Sequence, residues 1–215
     1  AVVGRGLDPP DGLVRPRVSL GAPGAGAVHY EEPRGTGGER RPGMVLRSLA
    51  DGEQLVWPWM ERTAVLHESV PGHHVHAGAH ATSTRLTAWQ RYLGSVPGCD
   101  EGWGLYAESL ADELGLMPTP EDRFGRLAAR RWRLARVLVD LGVHSRLPVP
   151  DDVAALPGAG REWNRATVTA VLRHHTVISE GRLRFEVSRH LGWPAPPLAY
   201  AVGERVWQAG RPRAQ

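Results

Sequence analysis

The chain has 215 residues and a formal charge of +3, with 41% hydrophobic and 23% charged residues. That balance excludes wholesale disorder and leads us to expect one sizeable core, in one or at most two domains. There is no apolar run of 18 residues, so no membrane-spanning helix is expected, and the single Cys99 excludes a disulfide framework or a Cys-rich zinc module.

All 26 basic residues are arginine, and with 26 Gly and 18 Pro this points to a GC-rich genome more than to a nucleic-acid partner. The opening AVVGRGLDPPDG lacks the basic, apolar and small-residue regions of a secretory leader, so a cytoplasmic chain is expected. Residues 1–43 are rich in Gly, Pro and Arg. LDPPDG, GAPGAGA and PRGTGGERRPG read as loops, with short strands expected from Leu13 to Leu20 and around Val28 and Tyr30. The remainder, 44–215, reads as an α-helical domain, which makes the fold class mainly α with an irregular, short-stranded N-terminal segment.

A helix is expected from about Trp59, with Met60, Ala64 and Leu66 as its apolar stripe, interrupted at Pro71–Gly72. A second is expected over 79–93, closed by a turn at Pro97–Gly98. Asp100 is a candidate N-cap for a helix from Glu101 to Leu114 that stops at Gly115. Residues 120–142 carry Phe124, Leu127, Leu134, Leu138 and Leu141 at helical spacing, a stripe expected to face the core. After a proline-containing break at 147–157, helical segments are expected near 161–178, 182–190 and 197–208.

Five of the ten histidines fall between residues 67 and 80. In the segment His67-Glu68-Ser69-Val70-Pro71-Gly72-His73-His74, the plain spacing of two metal-binding histidines one turn apart fails, because Pro71 occupies the second position. A bulge at Pro71–Gly72 would return His73 to the ligand face. His74 is the rival, nearly on the same face of an ideal helix but about 10 Å along the axis from His67. Glu68, next to the first histidine, is the candidate base that activates water. About 30 residues on, Asp100-Glu101-Gly102-Trp103-Gly104-Leu105-Tyr106-Ala107-Glu108 offers Glu101 as a third ligand, completing the set of a hydrolytic Zn²⁺ centre. Glu108 is either a partner behind the ligands or a solvated charge.

HESVPGHH followed by DEGWGLYAE resembles the bacterial family known as domain of unknown function 885, grouped with gluzincin-type zinc metallopeptidases. Two further segments are similar to that family's motifs: Arg133 to His144, and Pro194 to Gly203. The resemblance spans roughly residues 67–203 and covers only the C-terminal catalytic part of longer family members. It implies His67, His73 and Glu101 as zinc ligands, Glu68 as catalytic base, and cleavage of peptide or amide bonds. His144 and Tyr200 are then candidate donors to an oxyanion, and Arg136 a candidate holder of a substrate carboxylate. Arg136, Asp140 and His144, spaced by four, stack on one helical face, where Asp140 can orient the other two.

The chain departs from the family pattern at His76, at Ser145 to Pro148 and at Pro194 to Pro197. The alternative function is a non-catalytic remnant or binding module that keeps the fold. The run Arg123, Arg126, Arg130, Arg131 and Arg133 is read as a solvated helix surface, with no nucleic-acid partner expected. Cys99, without an expected basic neighbour, is read as inert.

Overall fold

A computed structural model of the chain describes residues 16–21, 27–32, 42–50 and 57–210. LDPPDG, most of GAPGAGA and PRGTGGERRPG, and the start of the Leu13–Leu20 segment lie outside the described residues.

Three short strands, β1 (Arg17–Leu20), β2 (Val28–Glu31) and β3 (Met44–Arg47), form one sheet in the order β1-β3-β2. β1 runs parallel to β3, with Arg17 opposite Met44, and β2 runs antiparallel to it, with Tyr30 opposite Val45. β3 was not expected from sequence, since MVLR is too short to show a period. As the central strand its backbone is paired on both edges, and Val45 and Arg47 alternate into the interior. The sheet is tied to the helices by Arg47, whose guanidinium contacts both carboxylate oxygens of Glu61 at 2.7 and 3.1 Å.

The helices follow in chain order: α1 (Pro58–Glu68), α2 (His73–Thr82), α3 (Ala88–Tyr92), α4 (Pro97–Glu113), α5 (Pro120–His144), α6 (Asp151–Ala154), α7 (Arg165–His175), α8 (Glu180–Gly192) and α9 (Pro196–Gly210). The break expected at Pro71–Gly72 is present, spanning Ser69 to Gly72. The single helix expected over 79–93 is instead two, because Thr87 and Gln90 build a reciprocal cap that starts α3 afresh. Pro97–Gly98, read as a turn, begins α4. A proline in the first turn lacks only an N–H that has no helical partner there, and Asp100 sits inside the helix instead of capping it.

The main apolar core lies among α5, α6, α7 and α8, around Val139, Val153, Val168, Val171, Leu172, Leu183 and Val187. Of the stripe expected to face it, Leu138 packs against this core and the rest does not. Phe124, Leu127 and Leu134 are 57%, 55% and 47% exposed, and Leu141 is also on the outside. The buried side of α5 carries Gly125, Ala135, Arg136, Val139, Asp140 and Gly142. Small residues there admit neighbouring helices at close range, and the two polar ones find partners. Oδ1 of Asp140 accepts from the Ala195 backbone N–H at 2.9 Å, and Arg136 lies 3.6 Å from Glu186.

α4 and α9 pack backbone to backbone. A Cβ on Gly102 would lie 2.3 Å from the carbonyl carbon of Gly203, so a side chain at this crossing is sterically excluded. Among the described residues, no helix is long and apolar enough to cross a membrane.

Candidate metal centre and active site

The buried face of α1 is polar: Thr63 and His67, one turn apart, are its two buried residues. Both reach Glu108 on α4. Thr63 Oγ1 donates to Oε2 at 2.8 Å, and Nδ1 of His67 lies 2.8 Å from Oε1. Arg133 of α5 completes the surroundings of this carboxylate, with Nη2 2.8 Å from Oε1. Glu108 is therefore a buried partner behind His67, not a solvated charge. Nδ1 of the imidazole is engaged there, which leaves Nε2 to face Glu101.

After His67 the chain bends. The Gly72 N–H bonds the Leu66 carbonyl at 3.1 Å, and α2 starts again at His73. The indole N–H of Trp103 donates to the carbonyls of Pro71 and Gly72 at 3.0 and 3.1 Å, clamping the bend from α4. His73 is returned to the first histidine, their ring centroids 4.7 Å apart. His74 points elsewhere: its Nδ1 lies 2.7 Å from the Tyr30 hydroxyl on β2.

Oε2 of Glu101 lies 3.3 Å from Nε2 of His67 and 3.6 Å from Nε2 of His73. Two ligands bound at about 2.0–2.1 Å in a tetrahedral arrangement lie about 3.3 Å apart, so the spacing of Glu101 from each histidine suits ligands of one Zn²⁺. Glu68 stands beside them, with Oε2 3.9 Å from Nε2 of His73. Ligand atoms of His67, Glu68 and His73 all fall within 4.8 Å of one another. Gly104 makes room for this arrangement, since a Cβ there would lie 2.4 Å from Cε1 and 2.5 Å from Nε2 of His67.

The electrostatics favour a cation. Burial alone would lower the pKa of His67, but Glu101 and Glu108 outweigh it and raise the imidazole to about 9. Burial alone would raise Glu101, yet hydrogen bonds from His67 and His73 hold it well below the usual carboxylate range. Glu68 responds in the opposite sense: burial pushes its carboxyl up, and the two histidines only partly offset the rise.

Tyr200 of α9 stacks on His67 with ring centroids 6.0 Å apart, beneath the guanidiniums of Arg133 and Arg136 at 5.6 and 5.2 Å. Burial, with Glu101 adding to it, raises its phenol above the ordinary tyrosine range, so it remains a proton donor. A cavity of about 130 Å³ opens against this group, lined among others by His67, Glu68, Trp132, Arg133, Arg136 and Tyr200. His73 and Glu101 do not line it, which makes Glu68 the carboxylate that faces the cavity from the ligand cluster.

His144 is not brought to this centre. Its Nε2 is 2.8 Å from the His190 carbonyl, and eleven residues of α5 separate it from Arg133, about 16 Å at 1.5 Å per residue. Asp140 does not orient Arg136 either, because Arg136 turns to Glu186. The arginine run is largely paired: Arg123 and Arg126 with Asp112, Arg130 with Glu204, Arg133 with Glu108. Cys99 does have a basic neighbour, since its Sγ is 3.8 Å from Nε2 of His76, while burial and Asp100 push the thiol up. Thr63, Trp103 and the role of Arg133 were missed from sequence. Only the i, i+4 pair Thr63 and His67 carried a local signal.

Over residues 8–215 the sequence matches the family described as "Bacterial protein of unknown function (DUF885)". Among solved structures, the chain resembles a "putative lipoprotein from Colwellia psychrerythraea" at 25% identity and TM-score 0.73, over 91% of this chain and 32% of that one. It also shares the fold of a "putative lipoprotein of unknown function from Shewanella oneidensis", at 13% identity and TM-score 0.58, over 90% of this chain and 33% of that one. The chain thus spans about a third of the length of these relatives. No curated protein matches it.

Proposed function

This chain belongs to the DUF885 family of bacterial proteins, and from that premise and the geometry of the site we propose a zinc-dependent hydrolase of peptide or amide bonds. The observation that carries the reading is the convergence of His67, His73 and Glu101 at ligand spacing, with Glu68 alongside. When bound, Zn²⁺ supplies Lewis-acid polarisation and a lowered pKa for water. His67, His73 and Glu101 hold the ion, and Glu108 fixes the tautomer of His67.

Glu68 takes the proton of the attacking water on its carboxylate and returns it to the leaving amine. Its carboxylate lies beside the proposed ligands and lines the cavity, within reach of both the water and the leaving group. Tyr200, kept protonated, donates to the oxyanion that develops on the substrate carbonyl. Arg136 binds a carboxylate of the substrate, a peptide or small amide. His144 has no part in this chemistry.

Metal analysis of the purified chain beside His67→Ala, with hydrolysis of a mixed peptide library with and without chelator, tests the proposal. Glu68→Gln is expected to keep its zinc and to lose about 10²–10⁴-fold in rate. Hydrolysis indifferent to both chelator and Glu68→Gln would overturn the mechanism. A chain that holds zinc and cleaves nothing in the library is instead the non-catalytic binding module. Both solved relatives are described as lipoproteins, which sets attachment to a membrane through a lipid against the cytoplasmic location expected from sequence. Fractionation of cells that produce the protein decides between the two.

A further inference from the structure

The cavity beside Glu68 is lined by four arginines, Arg133, Arg136, Arg182 and Arg189, and by three acids, Glu61, Glu68 and Glu186. The acids do not balance the arginines. Glu61 is committed to Arg47, and Glu186 is shared between His190 at 3.0 Å and Arg136 at 3.6 Å. Arg133 is paired through Nη2 with Glu108 from outside the cavity. Among the described residues, Arg182 and Arg189 have no carboxylate within ion-pair distance.

Two of these guanidiniums crowd a single indole. Cζ of Arg136 is 4.7 Å and Cζ of Arg182 is 4.6 Å from the centroid of Trp132. Like charges gathered on one ring repel each other, and the repulsion grows as water is excluded. The hydrogen-bonding inventory points the same way. Buried donors without an acceptor include Nη1 of Arg133, Nε of Arg136, Nε of Arg182, Nε of Arg189 and Nε1 of Trp132, and all five belong to residues that line this cavity. Arginine and tryptophan side chains donate and cannot accept, so nothing within the group can satisfy them. A ligand that brings only acceptors and a negative charge relieves both deficits at once.

We infer that the cavity is a subsite for a carboxylate, held by Arg182 and Arg136 against Trp132, and that the substrate class is acidic: a peptide or N-acyl amino acid with a carboxylate besides the bond to be cleaved. This rests on the hydrolase reading for the reaction, not for the binding. A carboxylate is planar and takes paired N–H donors side by side, which suits guanidiniums stacked on an indole. Burial, with Arg47 and Arg136 adding to it against the pull of Glu186 and Glu61, brings Arg182 down to about 10, as expected for a cation short of a counter-charge.

Calorimetric titration of the whole chain with N-acetyl-L-glutamate and with its neutral counterpart, N-acetyl-L-glutamine amide, tests the assignment. A chelator in both solutions removes any metal as a source of anion affinity. The expected result is saturable binding of the dicarboxylate, at least about tenfold tighter than the neutral compound, and at least about tenfold weaker in Arg182→Gln. Arg182→Lys, which keeps the charge and loses the fork, is expected between the two. Arg173→Gln removes a charge from an exposed pair with Glu180 and should leave binding unchanged.

Equal affinity for both compounds, no binding of the dicarboxylate, or binding indifferent to both Arg182 variants overturns the inference. Inorganic phosphate that binds more tightly than the dicarboxylate overturns the choice of carboxylate. A chain that binds the dicarboxylate but neither holds zinc nor cleaves peptides keeps this subsite and loses the hydrolase. An active zinc enzyme that ignores the dicarboxylate does the reverse.

Discussion

Nδ1 of His67 lies 2.8 Å from Oε1 of Glu108, and this contact decides which nitrogen the histidine turns toward Glu101. The same carboxylate accepts from Thr63 and pairs with Arg133, so three helices agree on one imidazole orientation. Glu108→Gln keeps the shape but removes the charge. We expect zinc affinity to fall about 10–100-fold, read by competition with a chelator, while circular dichroism still reports a helical chain. Unchanged affinity would show that His67 needs no such support.

Gly104→Ala separates local sterics from helix stability. Alanine is the better helix former, so an isolated α4 would gain from the change. The new Cβ would sit 2.4 Å from Cε1 of His67, however, and the ring must move. Zinc affinity should drop by tenfold or more, with the secondary structure retained. A variant that binds zinc as tightly as the parent would show that the ring has slack.

Glu186 gives the fold an acid-sensitive joint between α5 and α8. Burial raises its pKa, but the His190 hydrogen bond and the charges of Arg136, His190 and Arg182 bring it down to about 2 from an ordinary value of 4.5. A depressed carboxylate contributes stability that is complete above the unfolded pKa and lost as pH falls through the folded one. The window therefore runs from about pH 4.5 down to about pH 2, and the contribution is of the order of 3 kcal/mol. Urea unfolding at pH 5 and pH 3 reads the upper part of that window, about 2 kcal/mol, and in Glu186→Gln the difference between the two pH values should shrink.

The outward face of α5 is tested by Leu127→Glu with Leu134→Glu. Both leucines are about half exposed, and the expected cost is within about 0.5 kcal/mol for each. Had the stripe faced the core, as the sequence suggested, each would cost several kcal/mol. Thermal melting discriminates the two cases.

That misreading shows where sequence reasoning reaches its limit. α5 carries two helical stripes, one of large apolar residues and one of small and polar residues. Apolar bulk favours burying the first. The structure buries the second, because Gly125, Ala135 and Gly142 let neighbours approach closely and Arg136 and Asp140 have partners from Glu186 and the Ala195 backbone. Those partners lie about 50 residues away, beyond the reach of any local period. The choice between His73 and His74 was hidden for the same reason: Tyr30, which engages His74, comes 44 residues earlier. His144 shared a face with Arg136, but a long helix separates along its axis what it aligns around it. What could be read locally was the break after His67, from a proline that cannot continue a helix, and the density of ligand-type residues in HESVPGHH and DEGW.

The glycine contact between α4 and α9 has a bearing on the centre as a whole. Glu101 rides on one of these helices and Tyr200 on the other, and Gly102 and Gly203 meet where no side chain intervenes. Main-chain atoms thus act as the gauge block that spaces the acid from the phenol. Such a spacer has no rotamers to change, so the separation of the two groups is insensitive to the side-chain repacking that lets ordinary helix pairs drift.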